Sequence, residues 1–383
     1  MAELGTVAVG QSGGPTAVIN ASLAGVVEAA SEAGSAVLGL RYGIQGALHD
    51  DAIDLTNVDT AALAQTVSAG LGSVRYKLKP DDYDSIITAF ERHKVRTFVY
   101  IGGNDSMDTA NQLAMVAQQR GLPLQVMGVP KTIDNDLPFT DHCPGYPSAA
   151  RYVAALVRDV GLDCRAMRRI YFLEIMGRHA GWLAAASRLA RDRADAAPHL
   201  ILLPEHTWDE QRFLSAVERA YRDYGHCVVA VAEGFQLPEG GANLGIVDAF
   251  GHIRLGGVGK QLAALTKERL KLPPEPITDI LGYIQRASSL GRSDVDAAEA
   301  RMVGRQAIDA AVNGESGKMV TIQRRSAMPY RAGYGLVPLI DAANQTRTLD
   351  AAYLLTDQYD VPDSFLSYLE PLAGPLAAPY RLY

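Results

Sequence analysis

The sequence predicts an α/β protein made of two lobes, each with a largely parallel sheet. Three observations carry this expectation. Short apolar runs recur along the chain and alternate with helical patterns, which is how βαβ units read. There are more such runs than a single sheet needs. The chain has 383 residues, enough for two α/β layers rather than one small core.

Taken in order, TVAVG (6–10) reads as a strand and residues 16 to about 34 as a helix. AVLGL (36–40) is a second strand. RTFVYIGG (96–103) is a third, followed by a helix from about Ser106 to Arg120. LQVMGV (124–129) follows, then RIYFLEI (169–175), LILLP (200–204), HCVVAVAEG (226–234) and KMVTIQR (318–324). WDEQRFLSAVERAYRDY (208–224) is a helix between two of them. The stretch after Ala287-Ser288 reads as an amphipathic packing helix with Ala300, Val303, Ala307 and Ala311 on one side. A break between lobes is expected near Pro144. The Pro-rich end, EPLAGPLAAPYRLY (370–383), reads as a surface-wrapping tail.

Hydrophobic residues make up 48% and charged residues 21%, ordinary for a soluble globular chain. The net charge of -7 gives no basic footprint for nucleic acid or a membrane surface. Three scattered cysteines, Cys143, Cys164 and Cys227, fit a reducing cytoplasm and argue against a thiolate zinc site. The N-terminus has no signal-peptide pattern, and no apolar run is long enough to span a bilayer.

Ligands of open α/β sheets bind at the carboxyl ends of strands, and six loops at such places carry polar residues. GQSGGPTAVINASL (10–23) puts Gly13-Gly14 ahead of a helix, where N–H groups can meet an anion. It is neither the dinucleotide fingerprint nor a P-loop, and a plain turn explains it as well. YIGGNDSMDTANQL (100–113) repeats that grammar with Gly103, Asn104, Asp105 and Ser106. GVPKTIDNDLPFT (128–140) places Lys131, Thr132, Asp134 and Asp136 after a strand. An Asp there can take a proton from a hydroxyl or share a magnesium ion, and Lys131 can balance phosphate charge. RRIYFLEIMGRHAGW runs into Met176, Gly177, Arg178 and His179, the last read as a surface or capping histidine. In VAEGF, Glu233 ends an apolar strand, where sugar hydroxyls would satisfy its carboxylate. ILGYIQRASS puts Tyr283 and Arg286 after another short strand.

GGNDS, PKTIDND, MGRHAGW and GYIQR together resemble the phosphofructokinase family over about Val7 to Arg325. The resemblance implies two α/β lobes with the active site in the cleft between them. A donor-binding lobe would comprise 1–145 plus about 290–337, and a sugar-phosphate lobe 146–289 plus about 338–383. By motif match, Asp134 resembles the base that deprotonates the acceptor hydroxyl, flanked by Thr132 and Asp136. Arg75, in LGSVRYKL, matches the arginine that reaches the transferring phosphoryl. Gly13, Gly14 and Gly103 would bring N–H groups to the donor, beside Asp105 and Ser106. Met176, Gly177, Arg178, Glu233, Tyr283 and Arg286 match the acceptor pocket. Arg169 matches an arginine contributed by a neighbouring subunit, so a homodimer or homotetramer is implied. Mg²⁺ is the implied cofactor, with Asn104 and Asp105 at the metal positions.

ATP-using relatives carry glycine where this chain has Asp105 and Lys131. A carboxylate at about 4 Å from a phosphate, at an effective dielectric of about 20, repels it by about 4 kcal/mol. Lys131 supplies a cation to a small donor with no nucleoside handle. Both residues match the pyrophosphate-dependent branch, which implies reversible phosphorylation of fructose 6-phosphate in glycolysis and gluconeogenesis. Two departures stand out. Asn104 replaces a frequent aspartate and binds Mg²⁺ more weakly. Ile277 stands where relatives carry an acceptor-phosphate arginine, a hydrogen bond worth about 1.5–3 kcal/mol, unless Arg178, Lys260 or Arg286 compensates. A kinase for another acceptor, such as sedoheptulose 7-phosphate or a polyol, an ATP enzyme and a non-catalytic sugar-phosphate sensor are the alternatives.

Overall fold

The structure is a computed structural model and describes residues 4–238, 243–247, 253–273 and 275–380. Along the chain the strands are β1 (Thr6–Gln11), β2 (Val37–Leu40), β3 (Ala52–Asp54), β4 (Val95–Gly102), β5 (Gln125–Pro130), β6 (Ile170–Ile175), β7 (Leu200–Leu202), β8 (Cys227–Ala232), β9 (Asn243–Val247), β10 (Ile253–Leu255), β11 (Ile277–Ile280), β12 (Lys318–Ala327) and β13 (Tyr330–Pro338). The main helices are α1 (Ile19–Glu32), α2 (Asn104–Gln119), α3 (Tyr146–Met167), α4 (Glu210–Tyr224), α5 (Val258–Leu270), α6 (Asp294–Val312) and α7 (Ser364–Ala373). The chain forms two compact units, Met1–Tyr146 with Arg286–Thr346, and Pro147–Gln285 with Arg347–Tyr383.

The first unit holds a seven-stranded sheet in the order β13-β12-β5-β4-β1-β2-β3. Its central strands pair in parallel, and antiparallel strands, β3 and β13, close its two edges. β1, β4 and β5 are almost wholly buried, because helices cover both faces of a parallel sheet. That is why they read as unbroken apolar runs. Their register matters most for function. Gln11 pairs with Ile101, Ile101 with Val129, and Gly102 with Pro130. The loops after β1, β4 and β5 therefore leave the sheet side by side and at one level.

Helix α1 follows the first of these loops and packs on α6. The crossing is close enough to demand glycine on both sides. A Cβ on Gly25 would fall 1.9 Å from the carbonyl oxygen of Arg301, and one on Gly304 would fall 2.1 Å from that of Ser22. Ala300, Val303, Ala307 and Ala311, expected on one face of α6, are all buried.

The second unit holds the parallel sheet β11-β6-β8-β7 and the antiparallel pair β9-β10. Phe172, Val229, Phe213, Val217 and Leu262 are among the side chains of its core. Helix α4 starts where the Asp209 carboxylate accepts the N–H of Arg212 and ends at Gly225 with φ 77°, a left-handed stop. Ile175 of β6 pairs with Ala232 of β8, and Glu174 with Ile280 of β11. Three loops again emerge together. Residues 373–377 lie along α3. Arg151 donates to the carbonyls of Ala373 and Pro375, and Arg158 to that of Ala377. The start of the expected tail is helical instead, since α7 runs to Ala373. No described helix is long and apolar enough to cross a membrane.

Candidate active site

The first unit gathers one cluster of predicted residues. Gly13 has φ 75°, a conformation that costs glycine little. Its N–H donates to Val74 O at 3.1 Å, and Ser73 Oγ donates to Gly13 O at 2.5 Å. Arg75 is thereby carried alongside the glycine turn, with its side chain exposed. Lys131 follows β5 directly and is only 3% exposed. Its Nζ donates to Gly14 O at 2.9 Å, and a Cβ on Gly13 would lie 3.1 Å from that nitrogen. A Cβ on Gly14 would lie 3.1 Å from Nη1 of Arg286. Arg286, expected among the acceptor residues, thus belongs to the first unit and reaches the glycine turn. Burial lowers the Lys131 pKa, and the charges of Arg286 and Arg75 lower it further. Asp134 and Asp136 offset part of this, leaving it at about 7.

The loop from Lys131 to Asp136 alternates in burial. Ile133, Asn135 and Leu137 point inward, while Thr132, Asp134 and Asp136 are half-buried. Thr132 Oγ1 accepts the Asp134 N–H at 3.1 Å. Asn135 takes φ 56°, which asparagine tolerates better than most residues, and its Oδ1 accepts the N–H of Cys143 at 2.9 Å. The two aspartates are set by this buried asparagine, whose role sequence reading missed.

After β4, Gly103 leads into α2, and Ser106 and Met107 donate their N–H groups to its carbonyl. Ser106 is buried beneath Gly102, where a Cβ would lie 2.0 Å from the Ser106 oxygen. Asp105 sits half-buried in the first turn of α2, a favourable end of the helix dipole for a carboxylate. Asn104 turns its amide nitrogen toward Gln345 O at 2.7 Å and Asp136 Oδ2 at 3.5 Å. Gln11 and Asn20, also missed, form a buried pair below the glycine turn. Gln11 accepts from Leu71 N and Asn20 from Gly70 N, which anchors the segment leading to Arg75.

The second unit gathers another cluster. Met176, Gly177 and Glu233 leave the aligned ends of β6 and β8. Glu233 N–H donates to Ile175 O at 2.8 Å, and Gly234 N–H to Gly177 O at 3.1 Å. A Cβ on Gly234 would lie 1.9 Å from Arg178 O, so these two turns pack backbone to backbone. Buried Gln285 ties in the third loop. Its Oε1 accepts from Met176 N at 3.2 Å and its amide donates to Gly282 O at 2.8 Å. Tyr283 in that turn is exposed, as is His179. Glu174, inside β6, accepts the N–H groups of Gly257 and Gly259 at the start of α5. A carboxylate within an apolar strand was the available signal for it. Arg169 is not part of this cluster. It precedes β6, at the opposite end of the strand from Met176. Ile277 opens β11 opposite Tyr171, at that same far end.

The first cluster can therefore receive a compact, highly charged anion: three cations surround a glycine turn, with two carboxylates beside them. Among the described residues, no three His, Cys, Asp or Glu side chains converge on a metal position. The second cluster offers a carboxylate and main-chain groups suited to hydroxyls.

The phosphofructokinase family pattern matches residues 6–311. The chain is 41% identical to the pyrophosphate--fructose 6-phosphate 1-phosphotransferase of Xanthomonas campestris pv. campestris (strain B100), covering 96% of this chain and 91% of that protein. It is 34% identical to a sulfofructose kinase of Alkalicoccus urumqiensis, covering 87% of each. The crystal structure of the pyrophosphate-dependent phosphofructokinase of Nitrosospira multiformis superposes with a TM-score of 0.89 at 37% identity, covering 100% of this chain and 95% of that one. On motif, fold and these likenesses alike, the chain belongs to the phosphofructokinase family.

Proposed function

We propose that this protein transfers a phosphoryl group reversibly from pyrophosphate to the 1-hydroxyl of fructose 6-phosphate. The observation that carries the reading is Lys131, buried against Gly14 O with Arg75 and Arg286 around it. An ATP site leaves that space for a nucleotide. Here an ammonium fills it, and Asp105 adds a carboxylate at the head of α2. Relatives at about 40% identity bearing the pyrophosphate enzyme's name support the same donor.

In this reading Asp134 takes the proton of the acceptor hydroxyl. The hydroxyl oxygen bonds to the near phosphorus, the bridging P–O bond breaks, and orthophosphate leaves with the electron pair. Lys131, Arg75 and Arg286 neutralise charge on the transferring group, and the Gly13, Gly14 and Gly103 backbone positions the donor beside Ser106. Glu233, Met176, Gly177, Arg178 and Tyr283 hold the sugar. Two half-buried aspartates and the Asn104 amide fit a magnesium ion held mostly by phosphate oxygens, the usual mode for this cation. Magnesium would lower the charge on the donor, with Asp134, Asp136 and the amide oxygen of Asn104 as its protein partners and Asp105 nearby. Arg169 would serve a second copy of the chain, which makes a homo-oligomer part of the proposal. Cys143, Cys164 and Cys227 are all buried free thiols, in keeping with a reducing cytoplasm.

A second acceptor is favoured by two observations. Ile277 leaves Arg169 without a basic neighbour on β11, and a sulfofructose kinase is among the relatives. The test is a coupled assay with purified protein. Pyrophosphate should support turnover of fructose 6-phosphate and ATP should not, and Asp134→Ala should abolish turnover while sparing ligand binding. Comparable turnover with ATP would refute the donor, and preference for a sulfonated or neutral sugar would refute the acceptor.

A further inference from the structure

The segment that returns from the catalytic loop is clamped by buried charges outside the site itself. Thr140 Oγ1 donates to His142 O and accepts the N–H of Ile322, while Asp141 N–H donates to Ile322 O, so the segment is fixed to β12. Gly145 N–H donates to the buried carboxylate of Asp296 on α6. At the centre is His142, which has no exposed surface. Its Nδ1 lies 2.9 Å from Asp141 Oδ2 and its Nε2 lies 2.6 Å from Glu299 Oε2 of α6. With both carboxyls ionised their oxygens only accept, so both ring nitrogens then carry hydrogen and the ring is an imidazolium. The surrounding charges close the network. Arg324 of β12 pairs with Asp141 at 3.0 Å and lies over the ring of Tyr330, whose hydroxyl donates to Glu299 Oε1 at 2.6 Å. The next residue, Cys143, gives its N–H to Asn135, the residue between Asp134 and Asp136.

We propose that His142 is a positioning residue for the phosphoryl transfer: as a cation at neutral pH between Asp141 and Glu299 it locks the return segment, and through Cys143 and Asn135 it holds Asp134 in line with its substrate. The inference rests on the function proposed above. Burial opposes the charge, but the hydrogen bonds to Asp141 and Glu299 outweigh it and raise the His142 pKa to about 9. The folded value lies above the unfolded one of about 6.5. The clamp is therefore complete below that pH and is lost as pH rises through about 9.

Two measurements test this. Nitrogen NMR of the intact protein should show both His142 ring nitrogens protonated at pH 7, and Glu299→Gln should lower the titration by about one to three pH units. In parallel, kcat reports the ligand-bound enzyme, where pyrophosphate keeps Lys131 protonated, so its alkaline limb should follow His142. Glu299→Gln should move that limb down by the same amount. His142→Gln should cut kcat by up to about a hundredfold with KM for pyrophosphate little changed. If Glu299→Gln does not fold, Asp141→Asn removes the other carboxylate and serves the same comparison. A neutral ring at pH 7, or an unmoved kcat limb beside a moved ring titration, would overturn the proposal. If the unsubstituted protein turns over no substrate, the assigned reaction fails. The clamp is then judged on the ring alone, where an imidazolium supports it and a neutral ring ends it.

Discussion

Lys131 shows how one residue can be set against the stability of its own fold. Its ammonium is buried, faces two guanidinium groups, and has a pKa near 7 against an unfolded value of about 10.4. Between those limits the unfolded chain binds more protons, so stability should rise with pH across that window while the charge needed for pyrophosphate disappears. Function and folding therefore pull in opposite directions at this position. We expect kcat/KM for pyrophosphate to fall by about tenfold per pH unit above about 7. We also expect Lys131→Met to raise the melting temperature at pH 6 while weakening pyrophosphate binding by about ten- to hundredfold, the loss of one charge-assisted hydrogen bond. Calorimetric melting and titration of the two proteins check both halves. A methionine variant that is less stable at pH 6 would show that the buried charge is better compensated than the geometry suggests.

At the scale of elements, the crossing of α1 and α6 sets where the first glycine turn ends up. Gly25 and Gly304 let the two backbones touch, and α1 begins just beyond Gly14. Gly304→Ala should destabilise the protein by about 1–3 kcal/mol, the range for overpacking, measured by urea unfolding, and should also weaken donor binding because α1 must shift. The central strands were legible in the sequence because β1, β4, β5, β6 and β8 are covered on both faces and read as unbroken apolar runs. The two edge strands of the first sheet were not. β3 is three residues of mixed character, and β13 carries two glycines and exposes Arg331, Leu336 and Pro338. The site divides in the same way. Lys131, Asp134, Asp136 and Glu233 announce themselves as charges at strand ends. Gln11, Asn20, Asn135, His142 and Gln285 support them, yet each is recognisable only through a partner brought near by folding, such as Leu71 for Gln11 or Glu299 for His142.

For the whole molecule, the second unit should lose stability toward acid. In the second unit, His199 Nδ1 accepts the N–H of Val228 and His206 Nδ1 accepts that of Leu203, so both rings are held neutral. Burial lowers them, to about 3 for His199, helped by the nearby charges of His226 and Arg191, and to about 4 for His206. Their folded values lie below the unfolded one of about 6.5. The stability they contribute is therefore present above that pH and lost as pH falls toward 4. His142 in the first unit works the other way, its contribution being complete below about pH 6.5 and lost as pH rises through about 9, while Lys131 in the same unit adds stability from about pH 7 to about 10.4. The chain's two tryptophans, Trp182 and Trp208, both lie in the second unit. Tryptophan fluorescence should therefore show this unit melting at progressively lower temperature from pH 6.5 to 4, and an unchanged midpoint across that range would contradict the assignment.

The chain's last stretch has a different lesson in it. Arg151 and Arg158 grip main-chain oxygens of Ala373, Pro375 and Ala377, and a carbonyl looks alike whichever residue carries it. Evolution can therefore rewrite the letters of this ending almost freely as long as its path is kept. The exceptions are Ala373, which is buried at the end of α7, and Gly374, at φ 74°, where a methyl group would sit 2.8 Å from the Arg151 guanidinium. A library randomised over residues 373–380 would hold those two positions and drift at the others.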